Sequence, residues 1–151
     1  MSAEILNFKV TLCPGVLHRI NKFPEYRITL DGVDQKLGSL TEESTISFDA
    51  EVGEGEHTLQ ISFVNKDHTC NTFVDADGKI VEDLFIHLTK LEIDDIDLEN
   101  LLSHSVYDLA TPVEFNGAQV SSMPNHRFMS WNGTITLKFT SPFYLWLLEN
   151  L

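Results

Sequence analysis

The sequence lacks the features that mark disulfide-rich, secreted and membrane-spanning proteins. It has two cysteines in 151 residues and no Cys-x-x-Cys pair, so a dense disulfide framework is excluded and we interpret both thiols as reduced. No apolar run approaches the roughly 20 residues that cross a bilayer. The opening MSAEILNFKV has neither a basic start nor a long apolar stretch, so we expect no cleaved signal peptide and synthesis in a cytoplasm.

Positive charge is also scarce. Ten Lys and Arg residues face 23 Asp and Glu residues, which gives a formal net charge of −13. The basic residues are scattered singly, so the sequence provides no patch for the phosphate contacts on which nucleic-acid binding depends. We therefore expect no nucleic-acid partner and no anionic membrane surface as a partner. The simplest interpretation of the charge is solubility.

Catalytic motifs are missing, and the evidence for a metal site is weak. There is no glycine-rich phosphate loop and no Gly-x-Ser-x-Gly, and the six histidines do not pair at the spacing of a zinc site. We therefore expect no enzyme and no required cofactor. Acidic residues leave one alternative, a calcium site built from Asp67, Asp75, Asp77 and Asp95. The twelfth position of an EF-hand loop would be Ile86, so a turn with solvated aspartates is the simpler interpretation.

A period of two dominates the chain. Residues 5–12 and 26–30 alternate apolar and polar side chains, as half-buried antiparallel strands do. Residues 45–52 and 57–64 alternate in the same way around a short connection with two glycines, and we predict that they form a hairpin. The apolar positions change phase near Lys90, which predicts a β-bulge.

These short strands predict an all-β fold, an antiparallel β-sandwich of jelly-roll type with a short C-terminal helix. We expect a single domain over residues 1–151. Residues 103–127 have no clean period and contain two prolines and a glycine, and we interpret them as a long irregular loop of the kind that often forms interfaces. Ser141-Pro142 is typical of a helix start, so the helix is predicted over residues 141–151.

The predicted helix is apolar on every side from Phe143 to Leu148. It would be only about 15 Å long, too short to span a bilayer. Either it lies across an open end of the sandwich, or its uncovered face docks onto another protein chain. The predicted docking residues are Phe143, Tyr144, Trp146, Leu147, Leu148 and Leu151.

Three aromatic residues in or near the irregular segment allow a different function. Tyr107, Phe128 and Trp131 could stack on sugar rings if they lie on the rim of the sandwich. The alternative is that they fill the core, because large aromatic side chains are mostly buried.

The chain also resembles a group of viral proteins. The run GEHTLQISFVNKDHTCNTFVDADGKIVED, the following LEIDDIDLENLL and the closing MSWNGTITLKFTSPFYLWLLENL resemble small β-sandwich proteins of tailed bacteriophages. The resemblance implies a virion structural or accessory protein of the capsid, neck, tail or fibre, made in the host cytoplasm. Such a protein would bind other virion proteins or itself, as a homo-oligomer.

A second resemblance concerns the core strands. The run HTLQISFVN is similar to calcium-dependent carbohydrate-binding modules, which implies a glycan partner and attachment to a host surface. The chain departs from that pattern at His68, Thr69 and Cys70, where carboxylate ligands would be expected. Carbohydrate binding is therefore the alternative to virion docking.

Overall fold

The computed structural model describes residues 3–66 and 72–150, which form two antiparallel sheets packed face to face. The strands are β1 (Ala3–Gly15), β2 (Glu25–Leu30), β3 (Val33–Ser39), β4 (Ser44–Gly53), β5 (Gly55–Phe63), β6 (Thr72–Val74), β7 (Ile80–Asp83), β8 (Phe85–Ile93), β9 (Ile96–Asp97), β10 (Val106–Phe115), β11 (Ala118–Pro124), β12 (Phe128–Met129) and β13 (Gly133–Ser141). One α-helix, α1, spans Phe143–Asn150, and single 3-10 turns span His18–Ile20 and Leu102–His104. The predicted all-β sandwich with a short C-terminal helix is confirmed.

The two sheets differ in size and end in different edge strands. The first sheet has the order β12-β8-β1-β4, with β9 beside β8. The second has the order β11-β10-β13-β5-β2-β3, and β6 and β7 pair as a separate hairpin. Strands β11 and β12 therefore lie at the edges of different sheets although they follow one another in the chain. The connection between them closes one side of the sandwich.

The core lies between the inner faces of the two sheets. Phe8 of β1 and Phe139 of β13 belong to different sheets, and their ring centroids are 5.9 Å apart. Phe8 also stacks on Phe48 of β4 at 4.9 Å. Each such side chain contributes about 1.5–3 kcal/mol when it is fully buried. The inward positions of every long strand supply this cluster, which explains the period of two.

The predicted hairpin of residues 45–52 and 57–64 is wrong. Strand β4 pairs with β1 in the first sheet, whereas β5 pairs with β13 and β2 in the second. The chain crosses between the sheets at the connection, where Gly55 has a φ of +120°, a conformation that favours glycine. The alternation nevertheless identifies the buried face of each strand, Ile46, Phe48 and Val52 in β4 and Leu59, Ile61 and Phe63 in β5. It is the same whether two strands pair edge to edge in one sheet or pack face to face across two sheets.

The irregular loop predicted over residues 103–127 is also wrong. This segment contains β10 and β11, which form a hairpin around Asn116 and Gly117. Both turn residues have positive φ, 53° and 81°, as a type I′ turn requires. The predicted bulge is confirmed, since Thr11 pairs with Lys90 and Leu12 with Leu88, leaving one extra residue in β8.

The helix is shorter than predicted and is capped from outside its own sequence. Ser141 belongs to β13, and the carboxylate of Glu4 accepts hydrogen bonds from the Ser141 hydroxyl and, at 2.8 Å, from the Phe143 backbone N–H. A carboxylate there satisfies a free N–H and complements the helix dipole. In the described ranges, no helix is long and apolar enough to cross a membrane.

The half-buried His57 connects the turn between β2 and β3 to the end of β4. His57 Nδ1 lies 2.6 Å from Asp31 Oδ2, and Nε2 lies 2.5 Å from the Gly53 carbonyl oxygen. Both partners can accept hydrogen bonds, and this geometry fits the protonated ring, in which both nitrogens donate. Burial lowers the pKa of His57, but the Asp31 hydrogen bond, the Gly53 carbonyl and nearby negative charge outweigh it, and the pKa is raised.

This contact predicts a pH-dependent stability. A raised folded-state pKa contributes stability that is fully present below the unfolded value of about 6.5 and is lost as pH rises through the folded-state pKa. The free energy of unfolding of the wild type, minus that of His57→Gln, should therefore fall as pH rises from about 6 to 8. Urea unfolding at a series of pH values measures this difference.

The exposed His18 provides the control, because no ion pair involves it in the described structure. The change measured for His18→Gln over the same range is the reference with which the His57→Gln change is compared. A His57→Gln difference that is constant with pH would contradict the assignment of a protonated His57.

Candidate functional site

A groove of about 430 Å³ lies at the side of the sandwich where β11 and β12 end the two sheets. We call it the edge groove. Its volume falls within the range of ligand sites, about 300–1,000 Å³. It is lined by Val120, Ser122, Met123, Pro124, His126, Phe128, Ser130 and Trp131.

The aromatic wall of the edge groove is held from below by β8. Phe128 pairs with His87 in the strand register, and its ring centroid lies 5.4 Å from the His87 ring and 4.5 Å from the Phe85 ring. Phe128 nevertheless keeps 37% of its surface exposed, and Trp131 is half-buried against the core. The predicted sugar-binding residues Phe128 and Trp131 thus line one groove.

Tyr107 does not line the groove, and its predicted contact with sugar is wrong. It is fully buried, because it occupies an inward position of β10. Its hydroxyl donates to the Trp131 carbonyl oxygen and accepts from the Trp131 backbone N–H at 3.1 Å. Burial raises the pKa of Tyr107 to about 12, against the opposing effect of the Trp131 hydrogen bond. The hydroxyl therefore stays protonated and positions the Trp131 peptide.

Tyr107 also supports a second residue of the groove. The His126 ring stacks on the Tyr107 ring with a centroid distance of 5.6 Å and an interplanar angle of 8°. The buried Tyr107 side chain thus contacts both His126, which precedes β12 in the chain, and Trp131, which follows it.

The connection from β11 to β12 is fixed by backbone hydrogen bonds. Asn125 N–H donates to the Ser105 carbonyl oxygen at 2.9 Å, and Leu88 N–H donates to the Arg127 carbonyl oxygen at 3.0 Å. The Arg127 guanidinium binds the Glu99 carboxylate through two hydrogen bonds of 2.6 and 2.8 Å. A segment with its polar groups engaged in this way holds the groove in a preformed shape.

The lining of the edge groove favours an uncharged ligand. Among the residues that the structure describes, its lining contains no carboxylate, lysine or arginine. Behind it, burial and the positive charge of Arg127 lower the pKa of His87, which favours the neutral form of that ring. Aromatic and aliphatic surfaces with Ser122, Ser130 and His126 between them suit a molecule that has an apolar face and a hydroxylated rim.

The four candidate calcium ligands are not brought together among the described residues. Asp75 Oδ1 accepts from the backbone N–H groups of Asp77 and Lys79, each at 2.9 Å, as in a turn with a side-chain cap. Asp95 pairs with Lys9 at 2.5 Å. Asp67 lies outside the described residues, and residues 3–66 and 72–150 contain no group of three or more residues able to hold a metal.

The C-terminal helix divides its predicted docking residues between two faces. Phe143 and Leu147 are buried in the chain's own core and are not available to a partner. Tyr144 and Leu148 are exposed, by 52% and 71%, together with Leu145 at 59%. Leu151 lies outside the described residues. Docking through the exposed face of α1 stays a prediction.

Sequence reasoning missed the residues that β11 brings to the groove. They were assigned to an irregular loop, because the apolar positions of β10 and β11 shift across a register irregularity between Asp108 and Val113. The Asn116-Gly117 dipeptide was the feature that could have identified the hairpin, since it is the strongest short-range hairpin pattern. His126 is placed by its contact with Tyr107, which no local pattern encodes.

Comparison with known proteins gives similarity of fold alone. No protein-family model matches the sequence, and no curated protein matches it. A solved structure described as vCBM60 in complex with galactobiose covers 86% of this chain and 95% of its own, with 15% identity and a TM-score of 0.52. A second vCBM60 structure covers 87% and 88%, with 15% identity and a TM-score of 0.53. Its description places it among calcium-dependent carbohydrate binding modules.

Removing the Tyr107 hydroxyl while keeping the aromatic ring should destabilise the protein. Tyr107→Phe keeps the ring but leaves the Trp131 N–H and carbonyl without their partner, which should lower the free energy of unfolding by about 1–3 kcal/mol. Urea unfolding monitored by tryptophan fluorescence measures the loss.

Tyr26→Phe is the matched control, because the Tyr26 hydroxyl forms no hydrogen bond in the described parts of the chain. That variant should change stability by less than about 0.5 kcal/mol. Equal effects of the two substitutions would contradict a role for the Tyr107 hydroxyl in positioning Trp131.

Proposed function

We propose that this domain binds carbohydrate and that the edge groove is its binding site. The observation that carries the proposal is the uncharged groove in which Phe128 and Trp131 lie beside Ser122, Ser130 and His126. The similarity of fold to vCBM60, which is described in complex with galactobiose, supports a carbohydrate as the class of ligand. The proposed role is binding, and no residue is assigned a catalytic task.

The groove would recognise a sugar through two kinds of contact. The C–H groups on the apolar face of a sugar ring pack against the rings of Phe128 and Trp131. The hydroxyl groups at the rim of the sugar exchange hydrogen bonds with Ser122, Ser130 and the His126 ring. Because Tyr107 and the rings of β8 already hold these side chains, little conformational freedom is lost on binding.

The sugar contacts proposed above involve no calcium ligand. The related solved structure is described as calcium-dependent, but the carboxylates of Asp75 and Asp95 are engaged by backbone N–H groups and by Lys9. The described residues do not fit a calcium site, and no step of recognition is routed through a metal.

The virion assignment stays a prediction. Neither of the two solved structures is described as a phage protein. The exposed apolar face of α1 is compatible with protein docking, and sugar binding at the edge groove does not depend on it.

Truncation of the aromatic wall should weaken sugar binding. Galactobiose titrated into the wild type by calorimetry gives the reference affinity, and a glycan array identifies the preferred sugar. Phe128→Ala and Trp131→Ala should each lower the affinity by about tenfold or more, because a central aromatic anchor is worth about 2 kcal/mol. Tyr144→Ala, an exposed aromatic outside the groove, should leave the affinity unchanged.

The same measurements can also contradict carbohydrate binding. A blank array together with no heat of binding would rule out carbohydrate binding, as would unchanged affinity in both groove variants. Repeating the titration in EDTA tests whether binding needs calcium. Unchanged affinity would show that it does not, and lost affinity would show that it does.

A further inference from the structure

A second groove, of about 380 Å³, lies on the outer face of the second sheet under the end of α1. We call it the sheet groove. Strands β10 and β13 form its floor, and α1 forms one wall. Its side chains differ from those of the edge groove, because they include both charged and amide groups. They include His104, Asp108, Lys138 and Trp146.

The aromatic wall of the sheet groove is rigidly supported. Trp146 stacks on Phe143 with a centroid distance of 5.9 Å, and it meets Phe139 edge to face at 6.3 Å. Both phenylalanines are buried in the core. Trp146 itself is only half-buried, so a fixed indole ring borders the groove.

The polar side chains of the sheet groove differ in how far they are already engaged, and Asn150 Nδ2 donates a hydrogen bond to the Trp146 carbonyl oxygen at 2.7 Å. In residues 3–66 and 72–150, no hydrogen bond or ion pair involves the side chains of Asp108 and His104. Lys138 Nζ lies 3.9 Å from Glu56 Oε1, too far for a hydrogen bond. A carboxylate is a strong acceptor for sugar hydroxyls, and an ammonium group is a donor. The groove therefore combines an aromatic wall with two polar side chains, Asp108 and His104, that have no partner among the described residues, and with the weakly paired Lys138.

The two grooves are joined by direct strand pairing. Ser122 lines the edge groove and pairs with Asp108, which lines the sheet groove. Pro124 pairs in the same way with Val106. Side chains of directly paired residues lie on the same face about 5 Å apart. From β11 across β10 to β13 is two strand spacings, about 10 Å. A chain of a few sugar units spans this distance.

We propose that the two grooves form one continuous track that binds an unbranched oligosaccharide longer than a disaccharide. The edge groove holds one end of the chain at Phe128 and Trp131. The chain crosses β11 and β10 at Ser122 and Asp108, and further sugar units lie against Trp146. This inference rests on the proposed carbohydrate-binding function.

The experiment compares chain lengths in the wild type and in variants of each groove. Calorimetric titrations use galacto-oligosaccharides from di- to hexasaccharide, and the same series of the sugar that the glycan array identifies as preferred. Wild type should bind the hexasaccharide at least about tenfold more tightly than the disaccharide, because the second groove adds contacts within one molecule. Asp108→Ala should remove most of that gain and leave disaccharide affinity unchanged.

Trp146→Ala provides a second variant of the sheet groove, with the same expectation. Asp108 is exposed, so its replacement tests the groove even if loss of Trp146 impairs folding. Glu51→Ala, an exposed acidic residue on β4, is the control for the lost charge and should bind like the wild type at every length.

The outcomes separate this inference from the proposed function. Equal affinity for di- and hexasaccharide would overturn the continuous track and leave sugar binding at the edge groove intact. The track is also overturned if Asp108→Ala weakens the disaccharide as much as the hexasaccharide. No binding of any oligosaccharide would remove the proposed function, and the track with it.

Discussion

The site depends on one buried hydroxyl group. Between β12 and β13 the chain passes from the edge of the first sheet to the middle of the second, and there its backbone cannot join a ladder. The Tyr107 hydroxyl supplies the missing partners by hydrogen bonding to both the N–H and the carbonyl oxygen of Trp131. A buried backbone group without a partner would cost about 1–3 kcal/mol, so the position of Trp131 is determined by the core and not by the surface.

Support from buried residues also explains why the aromatic rings of the edge groove stay partly exposed. Exposed aromatic rings tend to collapse against the nearest apolar surface unless their backbone and neighbours hold them. Here Phe85 and His87 lie beneath Phe128, and the Tyr107 ring lies beneath His126. The groove is therefore preformed, and a ligand need not order it. Preorganisation of this kind raises affinity without requiring a larger contact area.

Alternation in the sequence predicted the fold class and most of the core, because inward positions such as Leu59, Ile61 and Phe63 repeat every second residue. It did not predict which strands pair. A strand that crosses between sheets at Gly55 has the same alternation as one that turns back in a hairpin. Strand partners depend on contacts between distant segments, as in the pairing of β4 with β1.

The candidate site was predicted in part. The position of Phe128 and Trp131 in or near the supposed irregular segment predicts a sugar site, and the two residues do share a groove. Tyr107 was chosen for the same reason and is buried, since its direction is set by the register of β10 against β11 and β13. Aromatic composition alone does not distinguish a residue that contacts a ligand from one that supports such a residue from beneath.

The most direct test of sugar binding at the edge groove is a nuclear magnetic resonance titration of isotope-labelled protein with galactobiose. Binding there predicts that backbone shifts concentrate in residues 120–131 and that the Trp131 indole N–H moves with them. Shifts centred on residues 67–71, or on any surface away from β11 and β12, would contradict this location, as would a spectrum that galactobiose does not change.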